Sequence, residues 1–486
     1  MHDVGDTREP EEKRPVPSGY DDLIALANDV NRPLESVYVL TPHADPWLAA
    51  RAARLEAAQW FVDIYRRFEL KAGMHLRRIH YMLVSQAEPI KMVDGSGYEN
   101  TEKCWHVLMK ASRDARYLDM LPPLSFVDQR APDPLIFVDD VEDNDTTSIT
   151  VCAGEVESRG GLYTYDGPSF KLPFFALGQP RIGQPYHIEV WVEKSTVLDV
   201  LEPIAEGYGA NVIQGVGHMT LTSVEELVAR IRRSGRPVRI LYLSDFDPAG
   251  QKMPVAVARK VEYLIRNEEM DIQLEPIALT HQQCIDFQLP RTPIKEDTRG
   301  LDAFEARYGE GATELDALEA LHPGALRRIV IENIERFYDS DLRRNVAVVE
   351  RQIRREMDRA AAEVRALHSD EIAALEEERR ILEEEVEEKL DQLRELIDAR
   401  ENDLTERIEA LLETMEEELQ EREPDPDAYE WPSPAEGDEF ENPLFDSRRD
   451  YLEQIDHYAR FNGKVIRERK KRMPKARLLR QQNHLA

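Results

Sequence analysis

Hydrophobic positions recur along this chain in three rhythms, and each predicts a different kind of element. Between 48 and 67, Ala, Leu, Trp and Phe return at helical spacing, and the stretches 77–85 and 100–116 continue that rhythm until Pro122-Pro123 stops it. Phe126-Val127-Asp128 and Leu135-Ile136-Phe137-Val138 are short strand candidates. Further on, compact apolar runs such as Ile188-Glu189-Val190-Trp191-Val192 and Ile240-Leu241-Tyr242-Leu243 predict buried strands of a parallel sheet. A short strand at 211–214, a turn at Gly215-Val216-Gly217, and amphipathic stretches at 195–207, 222–233 and 252–266 complete an α/β pattern. The third rhythm is heptad-like: Val386, Leu390, Leu393, Ile397, Leu404, Ile408, Leu411, Met415 and Leu419 recur with no Pro or Gly from 341 to 422. It predicts one long helix in an intermolecular coiled coil, with an antiparallel hairpin turning near the polar gap 399–403 as the alternative.

The expected organisation follows from these rhythms and their punctuation. Residues 1–45 carry Pro10, Pro15, Pro17, Pro33 and Pro42 among many charges and predict a partly disordered arm. A helical domain covers 46–150, a Gly- and Pro-rich irregular linker 151–184, an α/β domain 185–338 and the coiled coil 339–423. Pro424-Asp425-Pro426 opens an acidic linker, 424–446. A basic helical tail, 447–486, closes with Arg467, Arg469, Lys470, Lys471, Arg472 and Lys475 and is a candidate DNA-contacting segment.

The chain has 486 residues and a net charge of −32, with a pI near 4.9. That balance argues against a uniformly basic nucleic-acid binder. Much of the negative excess lies in 371–423, however, and a local patch rather than the total decides phosphate binding. Its 3 cysteines, Cys104, Cys152 and Cys284, are isolated and form no zinc pattern, as expected in a reducing cytoplasm. No apolar run reaches the length of a membrane helix, and 1–17 lacks the apolar centre of a signal peptide. The expected location is therefore the cytoplasm, at the nucleoid, with no membrane partner.

The chemistry-bearing residues stand where the predicted strands end. Glu193 follows one apolar run, and Asp245-Phe246-Asp247-Pro248-Ala249-Gly250 follows another. Residues i and i+2 of an extended segment point the same way, so Asp245 and Asp247 project together. Ligand groups of open α/β sheets gather at these strand ends. Carboxylates without Cys or His nearby suit Mg²⁺. Capping a helix is the plainer use of one Asp-x-Asp; a Glu on its own strand end, in this order, favours a metal site.

A Glu ending one strand and an Asp-x-Asp ending a later one resembles the Toprim domain of topoisomerases, primases and some nucleases. The wording Asp-Phe-Asp-Pro-Ala-Gly is closer still to the topoisomerase VI A subunit and its meiotic double-strand-break relative. The resemblance spans roughly 45–338. It implies a winged-helix-like domain at 46–150, a Toprim (Rossmann-like) domain at 185–338, and Glu193, Asp245 and Asp247 as Mg²⁺ ligands. It also resembles the bacterial and phage members around Pro293-Ile294-Lys295-Glu296-Asp297-Thr298-Arg299 and Glu314-Leu315-Asp316. There Lys295 and Arg299 are candidate phosphate contacts, and Asp297, Glu314 and Asp316 candidate supports of the metal. Glu314 and Asp316 also sit where a helix start favours carboxylates anyway.

In the same family a tyrosine on the winged-helix domain closes a short motif that carries an Arg a few residues earlier. Here Arg77 and Arg78 precede Tyr81 by four and three residues, which places all three on one face of a helix. Guanidinium groups favour the phenolate and hold a phosphate, so Tyr81 is the candidate nucleophile. His80, where relatives often carry an aromatic residue, is a candidate acid/base or packing residue. Tyr65, Tyr98 and Tyr117 are weaker candidates.

The resemblance implies Mg²⁺-dependent cleavage of double-stranded DNA by a type IIB-like topoisomerase subunit. It would act as a homodimer, since one tyrosine cuts one strand. The chain has no Walker A motif and no Gly-rich ATP-lid signature, so strand passage calls for an ATPase or SMC-like partner on another chain. The alternatives are a metal-only Toprim nuclease of the Wadjet plasmid-defence kind and a catalytically inactive DNA-binding scaffold built on the coiled coil.

Overall fold

The computed structural model describes residues 15–127, 132–138, 148–160, 165–178, 182–215, 219–389, 394–434 and 437–462. The chain divides into two compact units, one made of 1–140, 185–338 and 436–486, the other of 141–184 and 339–435.

In chain order the first unit begins with α1 (Tyr20–Asp29), α2 (Ala52–Arg67), β1 (Met74–His75), α3 (Leu76–Val84), α4 (Glu102–Tyr117) and β2 (Phe126–Val127). The second unit then contributes β3 (Ile149–Cys152), β4 (Glu155–Gly160), β5 (Tyr165–Lys171) and β6 (Phe174–Leu177). The first resumes with β7 (His187–Val192), α5 (Leu198–Tyr208), β8 (Asn211–Gln214), α6 (Leu221–Ser234), β9 (Val238–Leu243), α7 (Met253–Leu264) and β10 (Ile272–Ala278). Four short helices follow: α8 (His281–Asp286), α9 (Leu301–Tyr308), α10 (Leu315–Leu321) and α11 (Ala325–Glu335). The second unit closes with α12 (Leu342–Leu367), α13 (Ser369–Lys389) and α14 (Arg394–Glu421), and the first with β11 (Phe445–Asp446) and α15 (Tyr451–Phe461).

The first unit is mixed α/β around one five-stranded sheet of order β11-β10-β9-β7-β8. The strands β7 to β10 pair parallel, and β11 adds antiparallel at the edge. Every residue of β7 and β9 is buried, as continuous apolar runs covered on both faces must be. Three polar residues interrupt these runs, His187, Glu189 and Arg239, and Glu189 shows how such a group is accommodated. Glu189, mid-strand in β7, is fully buried but takes a two-pronged ion pair from Arg230 at 2.8 and 2.9 Å and hydrogen bonds from Trp191 and Asn211. Burial alone would raise its pKa; Arg230 and His187 more than offset that and keep it ionised. The register of β7 against β9 pairs Val192 with Leu243, so both strands end at the same level.

The helical set of the first unit is α2, α3 and α4 with the parallel β1–β2 pair, packed around Phe61, Ile79, Leu83, Leu108 and Phe126. It is tied to the sheet's helices: Arg116 of α4 pairs with Glu225 of α6 at 3.0 Å, and the Tyr263 hydroxyl donates to the Tyr117 carbonyl at 2.7 Å.

Four expectations need correcting. Residues 15–45 are not a loose arm. They form α1, whose Leu23 and Ala27 stand one turn apart on one face, and Leu23 and Val37 are fully buried beside the sheet's helices. The prolines there end elements rather than dissolve them. The stretch 151–184 is not irregular either. It holds the antiparallel pairs β3–β6 and β4–β5, whose apolar side chains Ile149 and Phe175 are buried against helices. The heptad segment is not one unbroken helix. It stops at Leu367, and α12, α13 and α14 close on the small strands, burying Val386, Leu404, Ile408, Leu411, Met415 and Leu419 in one cluster with Ile353 and Met357. The described part of the apolar seam is therefore covered within the chain, as the hairpin alternative expects. Finally, the acidic linker ends in β11, because Leu444 and Phe445 are apolar enough to be buried on the edge of β10. The Val216-Gly217 turn, Leu390, Leu393, the Ile397 side chain and the basic residues 467–475 lie outside what is described. No helix among the described residues is long and apolar enough to cross a membrane.

The arm and the C-terminal helix meet on α7 through Arg259. Its guanidinium is fully buried 3.7 Å over the Trp47 ring and bonds Asp45, Glu262 and the Tyr451 hydroxyl. Removing one partner of such a group leaves the others buried and uncompensated. Arg259→Ala is expected to lower unfolding free energy by about 3–5 kcal/mol, read from a urea melt. A loss under about 1 kcal/mol would mean that water relaxes the site freely.

Candidate functional site

Because β7 and β9 end level, the residues that follow them emerge side by side. The Glu193 backbone N–H donates to the Leu243 carbonyl at 3.1 Å, which locks the two strand ends together. Beyond β9, Phe246 turns into the core, stacked 5.6 Å from His281 and against Phe304 and Tyr308, while Asp245 and Asp247 lie near enough to Glu193 for their charges to act on it. The turn after Asp247 is tight. Its Oδ1 accepts the Ala249 N–H at 2.8 Å and the Gly250 N–H at 2.6 Å. A Cβ at position 250 would run into the Asp245 carbonyl oxygen, so glycine is required there.

The three carboxylates differ in what satisfies them. Asp245 Oδ1 accepts the Leu315 N–H at the start of α10 at 2.8 Å, and its Oδ2 meets Lys194 Nζ at 2.8 Å. Burial raises its pKa in spite of both contacts. Glu193 has no such relief on Oε2, which is buried without a hydrogen-bond partner. Burial first, then the charges of Asp245 and Asp247, push its pKa up to about 7. A buried acceptor left without a donor, facing two further carboxylates, is a site short of positive charge.

Lys194 supplies part of that charge. Its Nζ lies 2.8 Å from Asp245, 3.0 Å from Glu314 Oε2 and 3.7 Å from Asp316 Oδ2. Burial works against the ammonium, but its bonds to Asp245 and Glu314 prevail and hold it charged. Glu314 and Asp316 thus join the carboxylates through the lysine. Lys194 is a member of this candidate site that the sequence reading passed over, although its place directly after Glu193 was a signal. Among the described residues no group of three or more His, Cys, Asp or Glu side chains is arranged to hold a metal ion. The donor set is nonetheless all oxygen, and Glu193 has an unfilled acceptor, so the chemistry of the residues present fits a hard divalent cation.

The other candidates divide. Lys295, Asp297 and Arg299 lie exposed on the loop before α9. The Arg299 carbonyl accepts a 2.8 Å bond from Lys252 Nζ, which places that loop beside the Asp247 turn; among the described residues no bond joins Asp297 to the carboxylates. Tyr81 is exposed on α3, at 54%, with Arg77 and Arg78 also exposed. His80 beneath it is buried, bonded to the Tyr98 hydroxyl at 2.7 Å and Asn100 Oδ1 at 3.1 Å, with its ring edge-on to Tyr81. That makes His80 a packing residue that steadies the Tyr81 ring. Arg77 lies 5.4 Å over Trp105. Tyr98 and Tyr117 are buried, and burial raises both phenols, which removes them as nucleophiles. Among the described residues the ring of Tyr81 contacts that of His80, within its own helical set.

Glu193 gives a pH prediction. In the folded chain its pKa is near 7, against an ordinary 4.5. The fold therefore holds the proton more tightly than the unfolded chain does. This contribution to stability is fully present below about pH 4.5 and is lost as pH rises through 7. Glu193→Gln, which carries no charge, is expected to gain stability relative to the parent across that window in EDTA, read as Tm. Parallel Tm curves from pH 4 to 8 would show that Glu193 is already ionised in the fold.

Set beside known proteins, the chain matches no protein-family model and no curated protein sequence, so the functional reading rests on the residues at these strand ends.

Proposed function

We propose that the chain is a Mg²⁺-dependent DNA strand-cleaving enzyme, in which the sheet-bearing part is Toprim-like and the α2–α4 set winged-helix-like. The observation that carries the reading is the level ending of β7 and β9, which delivers Glu193, Asp245 and Asp247 together with a buried, unpartnered acceptor on Glu193. Asp245 and Glu193 would hold the cation with Asp247, and Lys194 would have to yield part of its hold on Asp245. Bound there, Mg²⁺ supplies positive charge to the phosphate and the departing sugar oxygen.

The chain's own residues account for the rest. Arg77 and Arg78 bind the scissile phosphate and favour the Tyr81 phenolate. The Tyr81 oxygen, having lost its proton to solvent, forms a bond to phosphorus. The bond from phosphorus to the sugar oxygen breaks, and that oxygen takes up a proton. The products are a phosphotyrosyl end and a free sugar hydroxyl. Exposure of Tyr81 on α3 supports this role over that of a core aromatic. Both strands are cut by two chains, and an ATPase or SMC-like partner would be needed for passage of a second duplex.

A metal-only nuclease is the second reading, favoured by the absence of any bond between Tyr81 and the carboxylates of its own chain among the described residues. Incubation of supercoiled plasmid with the full chain in Mg²⁺, followed by denaturation, separates the readings. Protein-linked breaks support the tyrosine mechanism. Breaks without adduct support the second reading. Intact plasmid at saturating protein overturns both and leaves a DNA-binding scaffold.

A further inference from the structure

Helix α12 carries seven arginines, no lysine and four acidic residues, in a chain whose net charge is −32. The two helices that follow it, α13 and α14, are rich in glutamate instead. The arginines of α12 are not spread evenly around it. At about 100° of turn per residue, Arg344, Arg351 and Arg355 fall within about 40° of one another, and Arg343, Arg354 and Arg365 form a second stripe of the same width beside them. All six are exposed. Together they occupy about a third of the helix circumference, roughly opposite the buried Leu342, Ile353, Met357 and Val364. Asp358 is the one acidic residue of α12 on that arc, and Ala347, Ala361 and Ala362 share it.

These arginines lack the partners that the same chain has in plenty. Arginines of α13 and α14 find glutamates: Arg379 meets Glu383 at 3.0 Å, and Arg400 and Arg407 of α14 reach Glu385 and Glu378 of α13. On the α12 arc Arg344 pairs with Asp341 at 3.1 Å, with both ends exposed, and Arg351 Nε donates to the Ala347 carbonyl of its own helix at 2.9 Å. Among the described residues Arg343, Arg351, Arg354, Arg355 and Arg365 make no ion pair. Arg351 and Arg355 stand four apart, and like charges at that spacing destabilise a helix. A row of cations without counterparts therefore costs the free chain stability, and a polyanion laid along it turns repulsion into attraction.

We propose that the arginine face of α12 binds the phosphate backbone of double-stranded DNA. From Arg343 to Arg365 the arc runs about 33 Å along the helix axis, close to one turn of duplex at about 34 Å. The duplex offers one charge about every 1.7 Å. A guanidinium meets a phosphate with two parallel bonds, which an ammonium does not, so a face built of arginine alone suits this partner. The small alanines between the arginines let the helix come close to it. The competing polyanion is the acidic surface of a second copy, but several of its glutamates are already held by its own arginines. The assignment takes DNA as the polyanion from the cleavage reading and adds a contact outside 45–338, the stretch that carries the Toprim resemblance.

The test measures binding of a fluorescein-labelled duplex by anisotropy, with the full chain in EDTA, where no metal-dependent cutting occurs, over a series of salt concentrations. Arg351→Gln, Arg354→Gln and Arg355→Gln combined in one chain remove three charges from exposed positions and keep good helix formers in place. Affinity is expected to fall at least about tenfold, and the slope of log K against log salt to become shallower by about 2 to 3. Lysine at the same three positions keeps the charge and is expected to keep the slope. Absence of binding by the parent overturns the assignment, as do unchanged affinity and slope in the glutamine variant while far-UV circular dichroism shows it folded. A loss of affinity and slope that the lysine variant shares in full also overturns it, since charge would then not be the cause. A glutamine variant that binds DNA as the parent does but sediments as a smaller species makes this face an interface between copies, and the DNA contact falls. Plasmid cutting in Mg²⁺ by the parent is scored on the same preparations. Charge-dependent binding by a chain that does not cut retains the contact and removes the cleavage reading, whereas cutting by a chain whose binding ignores the three arginines does the reverse.

Discussion

Asp247→Asn is expected to abolish DNA cutting in Mg²⁺ while leaving the fold intact. The choice of asparagine follows from the turn. Asp247 Oδ1 accepts two backbone N–H groups, from Ala249 and Gly250, so alanine would remove a local cap as well as a charge. Loss of such a cap costs about 0.5–2 kcal/mol. Asparagine keeps an acceptor in place and removes only the negative charge. It also relieves part of the repulsion on Glu193, whose pKa Asp247 helps to raise. Stability should therefore hold or rise slightly, and cutting should fall below detection. Cutting by Asp247→Asn at the parent's rate would show that this carboxylate is a structural cap and nothing more.

Tyr81→Phe is expected to end both cutting and adduct formation while binding of DNA persists. The ring is half exposed and its hydroxyl makes no hydrogen bond among the described residues, so the change in stability should stay within about 0.5 kcal/mol. Binding persists because Arg77 and Arg78 remain. The contacts of Tyr81 lie within α3 and its neighbours and not with the carboxylates of the same chain, which suits a tyrosine that works at a partner's metal site. Mixing Tyr81→Phe with Asp247→Asn chains then has a distinctive outcome. A mixed dimer holds one complete site, an intact tyrosine from one chain facing intact carboxylates of the other, and should nick one strand. If each tyrosine served its own chain, every site in the mixture would lack one group and nothing would be cut. Cutting by Tyr81→Phe alone at the parent's rate would transfer the chemistry to water and the carboxylates.

The parts of the site that were legible in the sequence were those carried by strand ends. Glu193, Asp245 and Asp247 follow apolar runs, and the two-residue period of a strand forces Asp245 and Asp247 to one side whatever the surroundings. Tyr81 and its arginines were legible for the same kind of reason, since a helix places i, i+3 and i+4 together. Lys194 was not legible as a partner of Glu314 and Asp316, because that contact joins residues far apart in the chain. Nor was the difference between Glu189 and Glu193. Both belong to the same short stretch, yet Arg230 from α6 neutralises the first, while Oε2 of the second meets no hydrogen-bond donor among the described residues.

The heptad segment shows where local pattern runs out. Its seam of Leu, Ile, Val and Met states that one face must be buried but not against what. Two short strand pairs that read as a loop, because Gly and Pro interrupt them, supply part of that cover within the chain. The arm and the C-terminal strand follow the same rule: a few apolar residues at the right spacing, Leu23 and Val37 or Leu444 and Phe445, dock onto a sheet that already exists. Sequence alone thus determined the periodic elements, the parallel α/β core and the residues that its strand ends and helix faces present. Tertiary structure alone decided which apolar faces cover each other and which charges are neutralised. Periodicity is a property of neighbours along the chain, whereas burial and ion pairing depend on segments that only folding brings together.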